Sequence, residues 1–271
     1  MLKSSEEAEP RRQKLGLVLS GGGARGIAHL GILKVLDEIG IRIDAIAGSS
    51  SGAIAGAMYA SGYSPDDILQ IINETNFFKL IRPAISKTGL LKMDSAEWLY
   101  QKYFTENSFE GLQIPLTINA TDLYKGKAVY FTKGALIRPL MASTCIPVMF
   151  EPTLVNGRLY VDGGLLNNFP AEALIGTCDK IIGLHCNPID DSFRVMNLKT
   201  MLERTFLLTI NANSYSRRKY CDFFIEPPAL KTYQIFELGK ADEIFQIGYD
   251  YAKSLEAELT RFWLNLQSTI Y

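Results

Sequence analysis

Two histidines, His29 and His185, are all that 271 residues offer. A serine nucleophile that needs an imidazole base must therefore draw on one of those two positions. The four cysteines, Cys145, Cys178, Cys186 and Cys221, show no C-x-x-C spacing. Scattered singly in a chain of this size, they read as reduced and partly buried, with no disulfide framework. No apolar run approaches the roughly 18 residues of a membrane-spanning helix. The opening MLKSSEEAEPRRQK has no apolar h-region, so a secretory signal peptide is not expected. An excess of charge is lacking too: 28 Lys and Arg against 29 Asp and Glu leave a net −1. Bulk electrostatics therefore give nucleic acid nothing to bind. There is no repeat, linker or low-complexity tract. The expected organisation is a loose polar segment over 1–14 and a single domain over 15–271, cytoplasmic or peripheral to a membrane.

What the chain does have is 47% hydrophobic residues, enough for a sizeable core. From Leu15 onward strand-like and helix-like patterns alternate, which favours an α/β sandwich with a mostly parallel central sheet and helices on both sides. Two apolar runs, Leu15 to Ser20 and Ile43 to Ala47, each feed a glycine-rich turn that opens a helix. The first turn is Gly21-Gly22-Gly23-Ala24-Arg25-Gly26. The second, Gly48-Ser49-Ser50-Ser51-Gly52, is a G-x-S-x-G pattern centred on Ser50. A strand–turn–helix of this kind places its middle residue at the carboxyl edge of a sheet, beside a helix N-terminus. The glycines let the backbone bend and let a substrate come close.

Further along, Ser64-Pro65-Asp66-Asp67 reads as a capped helix start. Residues 75–93 interleave Phe77, Phe78, Leu80, Ile81, Leu90 and Leu91 with Lys79, Arg82, Lys87 and Lys92. That stretch fits a lid or membrane-touching rim, but an irregular connection with buried apolar residues is the favoured reading. Asp94 and Glu97 open a helix to about Tyr103. Strands are expected over 114–122, 128–132, 153–155, 158–161, 180–185 and 223–225, with Asn156-Gly157 as a two-residue hairpin turn that delivers the chain to Asp162-Gly163-Gly164. A short helix is expected over 170–175. Met201, Leu202, Phe206 and Ile210 form one face of a later helix, and 241–266 reads as one final helix with a Leu255, Leu259, Phe262, Leu266 stripe.

The glycine loop fits two templates. Gly21, Gly23 and Gly26 satisfy the dinucleotide fingerprint G-x-G-x-x-G, and Asp44 lies near the distance at which a ribose-binding acid is sought. Asp44 falls inside the second apolar run, however, whereas the end of that run carries Ser49-Ser50-Ser51. No Gly-Lys-Ser/Thr follows, so the loop is not a P-loop. Paired with G-x-S-x-G one strand later, it is better read as an oxyanion hole built on Gly21, Gly22 and Gly23. A bland reading of the elbow is a helix capped by Ser49 or Ser51. Arg25 either orients the loop, meets a phosphate or makes a structural salt bridge. The base for Ser50 is Asp162 acting alone, or Asp162 with His185 in the Ser…Asp…His order of α/β-hydrolases; the lone carboxylate is favoured. His29 reads as packing or capping.

These motifs resemble those of the patatin-like phospholipase family, in particular small bacterial members of its neuropathy-target-esterase branch. GGGARG is similar to that family's oxyanion loop, GSSSG to its nucleophile elbow and DGG to its aspartate motif. Ala142-Ser143-Thr144-Cys145-Ile146-Pro147 and Tyr160 to Glu172 also resemble family segments, so the likeness spans about Leu15 to Gly183. The resemblance implies a helix-flanked sheet, a Ser50–Asp162 dyad, oxyanion donors at Gly21 to Gly23, and metal-free, cofactor-free hydrolysis of lipid acyl esters. Gly26, Gly48, Gly52, Gly163 and Gly164 would support the motifs. The expected partners are a lipid or acyl-ester substrate and, transiently, a membrane surface. Two other readings stay open: an oxidoreductase binding a nucleotide at Gly21 to Gly26, and a catalytically quiet lipid-binding module.

Overall fold

Leu15–Leu19 (β1) is apolar and buried along its whole length, as a central strand covered on both faces must be. In the computed structural model, residues 12–75, 82–83, 91–92, 94–194 and 196–268 are described. After β1 come helix α1 (Ala28–Ile39), strand β2 (Ala45–Gly48) and helices α2 (Ser51–Ala60) and α3 (Pro65–Glu74). Two short strands, β3 (Arg82–Pro83) and β4 (Leu91–Lys92), precede helix α4 (Asp94–Tyr103) and strands β5 (Leu116–Asp122) and β6 (Lys127–Phe131). Then follow α5 (Ile137–Ser143), β7 (Thr153–Val155), β8 (Arg158–Asp162), α6 (Gly164–Asn167) and β9 (Lys180–Leu184). The chain ends with α7 (Leu198–Ser214), β10 (Phe223–Ile225), α8 (Ala241–Ser254) and α9 (Glu256–Ser268).

Eight strands form one sheet in the order β10-β9-β1-β2-β5-β8-β7, with β6 also paired to β5. It is a mixed sheet. The pairs from β10 to β5 are parallel, whereas β6, β8 and β7 add antiparallel pairs. Leu15, Leu17 and Leu19 point into the large core shared with α1, α2, α8 and α9, while Val18 points to a smaller core with Phe169, Ala171 and Leu174. This is the period-two alternation of a strand between two layers.

One edge of β5 decides where the chemistry can lie. β6 pairs with Ile118 to Asp122, so it occupies one edge alone. The other edge is shared: β2 takes its first half, ending at Gly48 opposite Ile118, and β8 takes its second half, ending at Asp162 opposite Ala120. β2 runs parallel to β5 and β8 antiparallel, so their carboxyl ends face each other across two residues, about 7 Å of strand. The antiparallel part of the sheet brings the elbow and the DGG turn together.

Several expectations need correction. The final helix is broken at Leu255 into α8 and α9. The segment 170–175 holds a 3₁₀ turn, Ala171–Leu174. On α7 the buried side is Leu207, Ile210, Asn211 and Ser214, whereas Met201 and Leu202 are exposed. The Asn156-Gly157 hairpin forms as expected, with both residues at positive φ. Of the segment expected to be loose, residues 12–14 are tied down: Arg12 pairs with Asp44, and the Lys14 amide donates to Asp179 at 2.7 Å. The lid-or-rim reading of 75–93 lies outside the described residues except for Thr75, β3 and β4. All four cysteines are free, and among the described residues no helix is long and apolar enough to cross a membrane.

Candidate active site

Ser50 sits between the end of β2 and the start of α2 with φ 51° and ψ −124°, a conformation a serine adopts only under constraint. Strain of this kind costs on the order of 1–3 kcal/mol and persists where neighbours over-determine it. Here the Ser50 amide donates to Ser143 Oγ at 2.9 Å. The Ser50 hydroxyl donates to Asp162 Oδ2 at 2.7 Å. Ser143 also accepts from the Gly163 amide through its carbonyl, at 3.3 Å, so one residue braces both the elbow and the DGG turn.

Asp162 is fully buried at the end of β8. Its second oxygen accepts the Gly164 amide at 2.7 Å, its own amide donates to Cys145 O at 2.8 Å, and its carbonyl accepts the Thr121 hydroxyl at 3.0 Å. Burial pushes the carboxyl up to about 7, although the hydrogen bonds from Ser50 and Gly164 pull it down. A carboxylate poised there can both take and return a proton near neutral pH.

The glycine loop lies against the elbow. A Cβ on Gly21 would stand 2.8 Å from Ser50 Cβ, so only glycine allows the approach. Gly23 combines φ +58° with a backbone contact, since a Cβ there would meet Ile235 O at 2.2 Å. The Gly21 amide donates to Asn168 O at 3.2 Å and the Gly22 amide to Ser51 Oγ at 3.0 Å. Among the described residues the amides of Gly23 and Ser51 have no acceptor. Arg25 is buried and donates to Tyr233 O at 2.7 Å and Lys231 O at 3.4 Å, so it pins the loop to the 228–235 segment through carbonyls, not through a carboxylate. Desolvation lowers its guanidinium from the usual value. Gly26 packs on Ser51, Gly48 on the backbone of Gly52 and Ala53, Gly52 on the backbone of Leu19 and Ser20, Gly163 lies on Asn119, and Gly164 lies between Asn168 and the Asp162 carboxylate.

Neither histidine is hydrogen-bonded to Ser50 or Asp162. His185 Nδ1 meets Glu226 Oε1 at 2.6 Å, and its ring is enclosed by Phe169, Tyr215 and Phe224. His29 is buried and its Nε2 donates to Ser20 O at 2.8 Å; desolvation drives its pKa down to about 4, so it is neutral. Asp44 accepts the Leu15 amide at 2.8 Å at the opposite end of β2 from Ser50, where it cannot serve a ribose bound at the glycine loop. Among the described residues no cluster of His, Cys, Asp or Glu could hold a metal ion.

Sequence reasoning assigned no role to Asn168, Asn187 or Ser143. Asn168 Nδ2 and Asn187 Nδ2 both donate to Gly21 O, at 3.1 and 2.5 Å, and hold the carbonyl of the glycine loop in place. Asn168 lies in the segment after DGG, and Ser143 in the ASTCIP segment, so their neighbourhoods were visible although their contacts were not.

A family model described as patatin-like phospholipase matches residues 17–175, more than half of the chain. The chain belongs to the patatin-like phospholipase family. An uncharacterized NTE family protein of Mycobacterium bovis is 36% identical over 165 residues, covering 60% of this chain and 46% of the relative. A lysophospholipase NTE1 of Kluyveromyces lactis is 28% identical, covering 88% of this chain and 19% of the relative. The patatin-like chain thus spans less than half the length of these curated relatives. Its fold is shared with VipD from Legionella pneumophila, at a TM-score of 0.59 and 15% identity over 94% of this chain and 69% of that one. The motifs, the NTE-branch relatives and the mixed sheet agree on the family.

Proposed function

We propose that this chain hydrolyses acyl esters of lipids with Ser50 as nucleophile and Asp162 as its sole base. The observation that carries the reading is the 2.7 Å hydrogen bond from the Ser50 hydroxyl to a fully buried Asp162 carboxylate. A relative named lysophospholipase supports the substrate class. In the proposed cycle Ser50 Oγ attacks the ester carbonyl while Asp162 Oδ2 takes its proton. The carbonyl oxygen becomes an oxyanion held by amides of the Gly21–Gly23 loop, with the unengaged Gly23 amide as the first donor and the Ser51 amide at the start of α2 as a second. Donors of this type contribute on the order of 10² to 10³ each in rate. Asp162 passes the proton to the leaving alcohol, the acyl-enzyme forms, and Asp162 then activates water to release the fatty acid. No metal or cofactor enters this scheme.

Hydrolysis of a p-nitrophenyl ester and release of fatty acid from a lysophospholipid test the proposal. Turnover of both supports it. Tight NAD binding with neither activity would instead support the nucleotide reading, and vesicle binding without turnover the quiet lipid-binding reading.

Two predictions follow from the geometry. The base must be ionised, so kcat/KM should fall on the acid side through a pKa of about 7. A profile still flat down to about pH 5 would mean that the carboxylate is not held where burial puts it. Second, His185→Gln should keep activity within a few fold, because His185 is bonded to Glu226. A loss of roughly 10⁴ would indicate a triad.

A further inference from the structure

Helix α7 turns an uncharged, mostly apolar stripe to solvent. Leu198, Met201, Leu202, Thr205, Leu208 and Ala212 follow helical spacing along its outer side, and all are exposed, Leu198 by 75% and Leu202 by 55%. None is charged. An uncharged stripe of this length ordinarily packs on a core. Here that task falls to Leu207 and Ile210 on the opposite side, which meet Ile235.

The surrounding charge points to an occupant. Between Phe193 and Tyr220 the sequence holds six cations and a single acid, a net +5 in a chain whose total is −1. Arg217, Arg218 and Lys219 follow α7 directly in a 3₁₀ turn, flanked by the exposed rings of Tyr215 and Tyr220. Arg217 is paired with Glu172, while Arg218 and Lys219 are exposed. An apolar helix face bordered by cations and amphipathic rings matches the boundary between acyl chains and anionic headgroups. A second copy fits poorly, because a two-fold contact between stripes would set one +5 segment against another.

We infer that α7 and the basic turn after it form the surface that docks this protein on an anionic phospholipid bilayer. The inference rests on the lipid-hydrolase reading for its purpose and names the face that meets the substrate's membrane. The inner side of α7 is fastened to the site: Asn213 Nδ2 donates to Gly164 O at 3.0 Å, Asn213 Oδ1 accepts the Asn168 amide at 2.7 Å, and Asn211 Nδ2 donates to Asn187 O at 2.9 Å. A bilayer seated on the outer stripe is thereby fixed relative to the DGG turn and to the asparagines that hold Gly21.

Vesicle flotation with the Ser50→Ala chain tests this without consuming the lipid. Binding should be at least about tenfold tighter to phosphatidylcholine vesicles holding roughly 30 mol% phosphatidylglycerol than to phosphatidylcholine alone. The double variant Leu202→Asp, Leu208→Asp should weaken binding to the anionic vesicles at least about tenfold with an unchanged melting temperature, since both side chains are exposed. Arg218→Glu with Lys219→Glu should abolish the preference for anionic vesicles. Equal binding to both vesicle types, or undiminished binding by the Leu202/Leu208 variant, would overturn the inference. So would a stripe-dependent dimer in sedimentation that shows no affinity for vesicles. Because flotation needs no turnover, its failure leaves the hydrolase reading to be judged separately by ester assay on the unmodified chain.

Discussion

Ser50→Ala is expected to remove ester hydrolysis almost completely, by a factor on the order of 10⁴ to 10⁶, while leaving the fold intact. The size follows from covalent catalysis: without the hydroxyl no acyl-enzyme forms, and what survives is substrate binding beside loop amides. The fold should tolerate the change because the hydroxyl's partner is the Asp162 carboxylate alone, whereas the bond that braces the elbow is made by the Ser50 backbone amide to Ser143. The variant loses one hydrogen bond to a buried charge, worth roughly 1.5–3 kcal/mol. Steady-state p-nitrophenyl ester kinetics together with a thermal melt check both halves. Residual hydrolysis within tenfold of the unmodified chain would mean that another group is the nucleophile.

Asp162→Asn should do two opposite things. Activity should fall on the order of 10⁴, since an amide cannot accept the serine proton. Stability above neutral pH should rise. Burial raises the folded-state carboxyl from its ordinary value of 3.8 to about 7, so between those values the folded chain binds a proton that the unfolded chain has released. Asp162 therefore costs stability as pH climbs through that window, up to about 4 kcal/mol once both states are ionised. Asparagine carries no charge and keeps an oxygen for the Gly164 amide. The melting temperature of Asp162→Asn should exceed that of the unmodified chain by several degrees at pH 8, and the gap should close towards pH 5, where Asp162 is protonated in the fold. A variant less stable than the unmodified chain at pH 8 would contradict this.

Much of this arrangement was legible because turn chemistry is local. Gly48 to Gly52 and Asp162 to Gly164 each carry their conformation in neighbouring residues, and Asn156-Gly157 writes its hairpin into two positions. The bond between Ser50 and Asp162 was not local. It depends on β2 and β8, more than a hundred residues apart in sequence, each pairing with the same edge of β5 from opposite directions, which periodicity does not report. An expectation of a mostly parallel sheet would not by itself bring those two ends together. The roles of Ser143, Asn168 and Asn187 were hidden for the same reason, because each acts across the fold on a backbone group. On α7 the apolar spacing at Met201 and Leu202 was real, yet spacing tells which residues share a face and not what that face meets. Leu255, inside an unbroken helical pattern, gave no warning that the helix is interrupted there.

The proposed hydrolysis requires that one serine of this chain be activated by the carboxylate of Asp162. Fluorophosphonate labelling followed by peptide mapping tests it most directly, on the unmodified chain and on Asp162→Asn. The expected result is a single adduct on the peptide carrying Ser50, formed at least about a hundredfold more slowly when residue 162 is asparagine. An adduct on any other residue, or labelling of Ser50 at the same rate in both chains, would contradict it.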